Sequence, residues 1–239
     1  MGAGISICIL TYNVQWYNRL AMDMIAEHTR LVDYEILVYD NGSTDGTIEF
    51  LQQQREQHPL TFSFWAGKGN SMRHGQALDF LVPKARYPIV CTLCSDAFPI
   101  SPEWIVPALY LDKQTVLAGI DRGWGRELRH YVCPSYLFGW RDWLRDHTFM
   151  DEWPKADTGE RLGKAALVGG KQMKMWKYTC PEWGGKFRAN KPCDYNGWVW
   201  HTWWGGRSKS VPGLAGEEFE TDYHEYVTAM LRKRFNLRY

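Results

Sequence analysis

The chain has 239 residues and a formal net charge of +1, enough length for one large domain with a substantial core and no electrostatic footprint for nonspecific nucleic-acid binding. No apolar run reaches the length of a membrane span, and the opening MGAGISICIL lacks the basic start and cleavage site of a secretory leader. Six Cys in a chain this long do not make a small-domain disulfide framework, so the expectation is a reduced, cytoplasmic protein.

Ile5 to Leu10 is an apolar run ending at Thr11-Tyr12-Asn13, a first strand and its exit loop. Val14, Tyr17, Ala21, Met24, Ile25 and His28 then recur at helical spacing. Glu35 to Tyr39 predicts a second strand closed by the turn Asp40-Asn41-Gly42-Ser43. There Asn-Gly supplies the positive φ, and Ser43 or Thr44 offers a helix N-cap. A helix to about Gln57, a strand from Leu60 to Trp65 and the loop Gly67-Lys68-Gly69-Asn70 follow. A third helix from near Ser71 must end near Val82, because Pro83 disfavours helix at the residue before it. Ile89 to Cys94 is a fourth strand, apolar enough to be buried on both faces.

Four alternations of strand and helix with short connections predict a parallel sheet with helices on both faces, its strand-end loops converging on one edge. The sequence has no G-x-G-x-x-G after a strand and no Walker A motif. The fourth strand stops at Ser95-Asp96. A carboxylate at the end of a buried strand has to meet water, a cation or a ligand, and open α/β sheets bind ligands at the carboxyl ends of their strands. Asp96 therefore reads as the holder of a divalent metal that in turn holds a diphosphate. The competing reading is a turn cap, with Pro99 and Pro102 shaping the loop.

ISICILTYN, then EILVYDNGSTDGT, then a strand ending in Ser-Asp resembles the GT-A glycosyltransferases, and within them the family 2-like inverting enzymes. The D-N-G-S-T-D-G-T run is the most specific piece, and the resemblance covers residues 5 to about 105. It implies that Thr11, Tyr12 and Asn13 line the base and ribose of a nucleotide-sugar. Asp40 would bond the base with Ser43 near it, and Arg73 would either face the donor phosphates or be a surface Arg on the first turn of the third helix. His74, on the apolar stripe with Leu78 and Leu81, is either a packed core residue or a donor contact. The family's D-x-D reads Cys94-Ser95-Asp96 here. The acid that touches the metal is kept as Asp96, with Ser95 beside it on the donor side, and the first acid is replaced by Cys94, a soft ligand ill suited to Mg²⁺. Cys91 and Cys94 also form a C-x-x-C, but along a strand rather than at the helix N-terminus that redox chemistry needs. A zinc site completed by Cys180 and Cys193 lacks a second C-x-x-C.

In the second half, Pro102 to Tyr110 reads as a short helix, Thr115 to Ile120 as a strand, Tyr131 to Trp140 as an aromatic strand and Arg141 to Thr148 as a helix. In GT-A enzymes a strand in the Tyr131 region floors the acceptor site. Leu162, Ala166 and Gly169 share one helical face with Asp157 just ahead of it, which resembles the family's acidic motif. Inverting transfer needs a carboxylate to take the acceptor hydroxyl's proton. Asp157 is the candidate base, with Glu160, Asp151 and Glu152 as alternatives and a helix N-cap as its other reading. In YNGWVWHTWWGGR, His201 resembles the late metal ligand of several GT-A families, and Arg207 and Lys209 would hold the departing diphosphate; the other reading is a hydrophobic loop with a packed His. Nine of the 13 Trp lie between Trp140 and Trp204, most of them expected in the core and the rest shaping the acceptor site by stacking.

The expectation is thus a single GT-A α/β/α domain over 1–239 with a mixed, mostly parallel sheet. Residues 1–105 form the nucleotide-sugar half, 106–216 the acceptor half and 217–239 an amphipathic helix with a basic end. The function expected is a metal-assisted (Mn²⁺ or Mg²⁺) inverting transferase moving a sugar from a nucleotide-diphosphate sugar to a carbohydrate or lipid-linked acceptor. Peripheral contact with the inner face of a membrane would come through the basic end. Two other classes stand against it. A sugar-nucleotide-binding module without catalysis is motivated by Cys94. A sugar-phosphate nucleotidyltransferase should carry a Gly-rich basic loop after the first strand, where Thr11-Tyr12-Asn13 stands instead.

Overall fold

The computed structural model describes residues 4–69, 72–123, 128–150, 156–179 and 193–202. A seven-stranded sheet forms the centre, in the order β3-β2-β1-β4-β7-β6-β8. Its strands are β1 (Ile5–Thr11), β2 (Tyr34–Asp40), β3 (Phe62–Ala66), β4 (Ile89–Cys94), β6 (Thr115–Asp121), β7 (Val132–Trp140) and β8 (Gln172–Trp176). The first four are parallel to one another, β7 runs antiparallel to both β4 and β6, and β8 is parallel to β6. This is a mixed, mostly parallel sheet, as expected. A second, antiparallel sheet joins β5 (Ala97–Pro99), β10 (Val199–His201) and β9 (Cys193–Tyr195) in that order.

Side chains alternate across the strands and give the sheet two buried faces. Ile5, Ile7 and Ile9 of β1 and Ile36 and Val38 of β2 pack with Met22 and Ile25 of α1 (Gln15–His28) and with Phe50 and Leu51 of α2 (Thr47–Gln57). Cys8, Leu37, Tyr39 and Val90 face the other way. They meet Ala77, Leu78 and Leu81 of α3 (His74–Leu81), Leu144 of α4 (Arg141–Arg145), and Leu162 and Ala166 of α5 (Glu160–Val168). A third cluster joins Tyr17, Leu20, Ala21 and Met24 of α1 to Phe98 of β5 and Trp200 of β10, so α1 clamps the small sheet as well as the large one.

Several local expectations shift. Helix α3 begins at His74 and passes at its end into a 3₁₀ turn, Val82–Lys84, where Pro83 takes an N-terminal helical position that needs no N–H. Pro102–Tyr110 is a 3₁₀ helix, and Pro107 inside it denies an α-helical hydrogen bond. Ala97–Pro99, expected as loop, is a strand. Neither Ser43 nor Thr44 caps α2. Gly46, with φ 89, is the N-cap, and Asp45 just ahead of it accepts from the Thr47 backbone at 3.1 Å and its hydroxyl at 2.6 Å. The other Asp45 oxygen accepts from the backbone of Gln15, the first residue of α1, at 3.1 Å. One carboxylate thus serves two helix starts. The expected helix over 217–239 lies outside the described residues. Among the described residues, no helix is long and apolar enough to cross a membrane.

Candidate active site

The chain runs from β1 outward to β2 and β3, then returns past β1 to β4, so the sheet has a topological switch point between β1 and β4. Register aligns the strand ends there. Thr11 pairs with Asp40, Asp40 with Ala66, and Leu10 with Cys94. The residues expected on the donor side therefore share one edge of the sheet.

Asp40 is fully buried and builds its own turn. Its Oδ1 accepts from the backbone of Gly42 at 2.9 Å and of Ser43 at 2.8 Å, and Oδ2 accepts from the Ser43 hydroxyl at 2.5 Å. The Ser43 hydroxyl accepts in turn from the Asn13 backbone at 2.7 Å, and the Asn13 side chain accepts from Thr44 N–H at 2.7 Å. Asn13 adopts φ 52, a left-handed value that Asn tolerates better than most residues. Thr11 is buried and its hydroxyl accepts from Asn18 of α1 at 2.7 Å, while Tyr12 is half-buried. Asn41 was not singled out in the sequence, yet its amide holds the Met72 backbone at both N–H and C=O (3.0 and 2.8 Å) and so ties the β3–α3 loop to the β2 turn. Gly42 has φ +87, and a Cβ there would stand 2.2 Å from the Gly69 nitrogen, so only glycine lets the two loops approach. Arg73 is exposed at the N-cap of α3, and His74 is half-buried at its first residue.

The densest polar cluster lies where β4 ends. Ser95 and Asp96 are buried, and β5 starts at once. In the antiparallel pairing of β5 with β10, His201 stands opposite Ala97 and Trp200 opposite Phe98. Alternation along β10 sends Trp200 to α1 and His201 to Asp96. His201 Nε2 is 3.0 Å from Asp96 Oδ1, and the Thr202 hydroxyl donates to Asp96 Oδ2 at 2.7 Å. Burial alone would raise the Asp96 pKa, but the adjacent His201 and the two hydrogen bonds outweigh it and hold the carboxyl down at about 2. His201 Nδ1 lies 2.6 Å from the Tyr195 hydroxyl, which lies 3.1 Å from Ser135 Oγ. Burial pushes the Tyr195 phenol well above its usual range, so it stays an O–H. The Cys94 thiol completes the group. Ligand atoms of Cys94, Asp96 and His201 lie within 4.8 Å of one another.

Two residues named from sequence as metal ligands are therefore in contact, and Asp96 is no mere turn cap. Thr202, Tyr195 and Ser135 support them and carried no sequence signal, because their partners are long-range. Cys193 is disulfide-bonded, which departs from the expected all-thiol state and removes it from any zinc site with Cys91 and Cys94.

Asp157 sits at a second polar point. Tyr131, just ahead of β7, donates to its Oδ2 at 2.9 Å, and Arg122 Nε, just past β6, lies 3.7 Å from the same oxygen. Burial and the Asp157 carboxylate both push the Tyr131 phenol far up, so it remains a donor. The N-cap reading of Asp157 is not realised. Gly159, with φ 82, caps α5, and Asp157 Oδ1 accepts from the Thr158 backbone at 2.8 Å. Glu160, one of the alternative bases, is buried with both oxygens engaged, accepting from the backbones of Leu128 at 2.5 Å and Asp157 at 2.8 Å. It holds Asp157 in place. Asp151, Glu152, Arg207 and Lys209 lie outside the described residues. Of the nine Trp from Trp140 to Trp204, Trp200 is a core residue, Trp140, Trp143, Trp176 and Trp198 are half-buried against the core clusters, and the other four lie outside the described residues. A cleft of about 600 Å³ lined by Asp79, Leu144, His147 and Arg161 shares no residue with this site.

The mixed seven-stranded sheet is a GT-A-like fold. Residues 6–120 match the family model described as Glycosyl transferase family 2. A mannosyltransferase from Pyrobaculum calidifontis, solved with GDP-Man and Mn²⁺, superposes with a TM-score of 0.58 at 17% identity, over 72% of this chain and 54% of its own. Residues 1–349 of S. aureus TarS, solved with UDP-GlcNAc, give 0.54 at 16% identity, over 76% of this chain and 59% of its own. Glucosyl-3-phosphoglycerate synthase from Mycobacterium tuberculosis, solved with Mn²⁺ and UDP-glucose, gives 0.51 at 20% identity, over 74% of this chain and 69% of its own. The chain spans little more than half the length of the first two of these structures.

Proposed function

We propose that the chain is an inverting glycosyltransferase that moves a hexosyl group from a nucleotide-diphosphate sugar to an acceptor hydroxyl. The observation that carries this reading is the meeting of Asp96 and His201 at the end of β4, beside the switch point between β1 and β4. A buried carboxylate and an imidazole nitrogen, each held from behind by a hydroxyl, fit a divalent ion. Such an ion supplies positive charge against the departing diphosphate.

The chain's own residues do the rest. The Asp40–Ser43–Asn13 network shapes the floor on which base and ribose rest, with Thr11 and Tyr12 at the end of β1. Asn41 and Gly42 bring the loop before α3 close, and with it Arg73 and His74. Asp157, oriented by Tyr131 and Arg122, takes the proton of the acceptor hydroxyl. The acceptor oxygen bonds to the anomeric carbon as the diphosphate leaves from the opposite face with its bonding pair, so the configuration inverts.

The test is a thermal-stability titration with UDP, GDP and dTDP, with and without Mn²⁺. A ligand that binds only the folded chain raises Tm by mass action. A metal-dependent shift for one nucleotide that vanishes in Asp96→Ala supports the transferase and names the donor class. A shift indifferent to metal and to Asp96 points to a binding module. No shift with any nucleotide removes the donor-site argument.

A further inference from the structure

The ion site departs from an all-oxygen-and-imidazole set in one respect, and the departure is chemical rather than geometric. Cys94 is the last residue of β4, a half-exposed thiol outside any disulfide. Its sulfur, an Asp96 oxygen and a His201 nitrogen lie within 4.8 Å of one another. Donors arranged tetrahedrally at zinc bond lengths stand about 3.4–3.7 Å apart, so small side-chain rotations bring the three around one ion.

Hard cations do not want this set. Mg²⁺ demands a near-ideal octahedron of oxygens, and Mn²⁺ stands lowest in affinity among the first-row divalent ions and gains little from thiolate. One sulfur, one nitrogen and one oxygen with a fourth position open is the donor count of a catalytic zinc site. The supporting groups are already in place. Thr202 holds the far oxygen of Asp96, and Tyr195, backed by Ser135, holds the far nitrogen of His201, which leaves Nε2 to face the ion.

We propose that Cys94, Asp96 and His201 form a mixed sulfur–oxygen–nitrogen centre that takes Zn²⁺ in preference to Mn²⁺ or Mg²⁺, with the Cys94 thiolate as third ligand. On binding, the ion would displace the thiol proton to solvent, and its positive charge would serve the diphosphate. This deepens the transferase reading and rests on its ion site.

The experiment uses the full chain, stripped of metal with a chelator and titrated with Co²⁺ as a spectroscopic stand-in for Zn²⁺. The expected result is a near-ultraviolet thiolate-to-cobalt charge-transfer band that Zn²⁺ abolishes by competition. Zn²⁺ should bind at least about tenfold more tightly than Mn²⁺. Cys94→Ser should lose the band, and Cys94→Asp should reverse the preference toward Mn²⁺. X-ray absorption on the zinc-loaded native chain needs no variant and should find one sulfur at about 2.3 Å. Mn²⁺ binding as tight as Zn²⁺, with no band and no sulfur neighbour, overturns the inference and leaves the transferase reading standing. Failure of every ion to bind overturns both.

Discussion

Asp96 and His201 stand 105 positions apart in sequence and meet at 3.0 Å, both buried. Removing one partner of a buried pair leaves the other uncompensated, at a cost of about 3 kcal/mol. His201→Ala should therefore lower the Tm of the metal-free chain and also abolish any metal-induced rise in Tm. Calorimetry of metal-free and metal-loaded protein checks both. A variant as stable as the native chain would show that the contact contributes little.

Asp157 and Glu160 adjoin but should separate cleanly. Asp157→Asn should lower kcat by about 10²–10⁴-fold with nucleotide affinity unchanged. Glu160→Gln replaces an acceptor of two backbone N–H groups by one that can serve a single N–H, and should cost about 1–3 kcal/mol of stability. Initial rates and urea melts on the two variants distinguish the roles. If Glu160→Gln alone abolished turnover in a stable protein, the base assignment would move to Glu160.

In the proposed ion site Tyr195 would act only through His201. Tyr195→Phe leaves the ring but removes the hydroxyl 2.6 Å from Nδ1, so metal affinity should fall about 10–100-fold. Titration calorimetry reads this directly. Unchanged affinity would mean that the His201 ring is oriented by packing alone.

Asp45 links fold to pH. Burial would raise its pKa, but the Thr47 hydroxyl and the backbones of Gln15 and Thr47 together lower it below its ordinary value of 3.8. A carboxylate with a lowered folded value contributes stability that is present above pH 3.8 and lost as pH falls through the folded value. Asp45→Ala should cost about 1 kcal/mol at pH 7 for the lost hydrogen bonds to Thr47 and Gln15, and that difference should shrink below about pH 4. Denaturant melts of both proteins across this range show whether the gap closes.

The N-terminal half was largely legible in sequence because its signals are local. Apolar runs marked β1, β2 and β4, and the Asp40–Thr44 turn is written in residues that bond one another. Asp96 was legible as an acid at a strand end. The small sheet was not, because Ala97–Pro99 is short and Pro-ended and pairs with β10, a strand that follows it only after the rest of the central sheet. Tyr195 and Ser135 were hidden for the same reason. They matter only because β7 turns antiparallel and brings Ser135 under the Tyr195 hydroxyl, and no periodicity within either segment announces that. Arg122 and Tyr131 flank the β6–β7 connection, and only the pairing of those strands aims both at Asp157.

The seam between β5 and β10 has a consequence for how such a chain can change over evolutionary time. It joins Ala97 directly to His201, so strand pairing holds Asp96 and His201 together although 105 positions separate them in sequence. Between those positions the strands β7 and β9 are fixed in their turn, because Ser135 and Tyr195 stand behind His201. The connections outside the strands are under no such constraint, since loop-closure entropy grows only logarithmically, by about 0.6 kcal/mol per doubling of loop length. Length changes in this chain are therefore expected to collect in those connections.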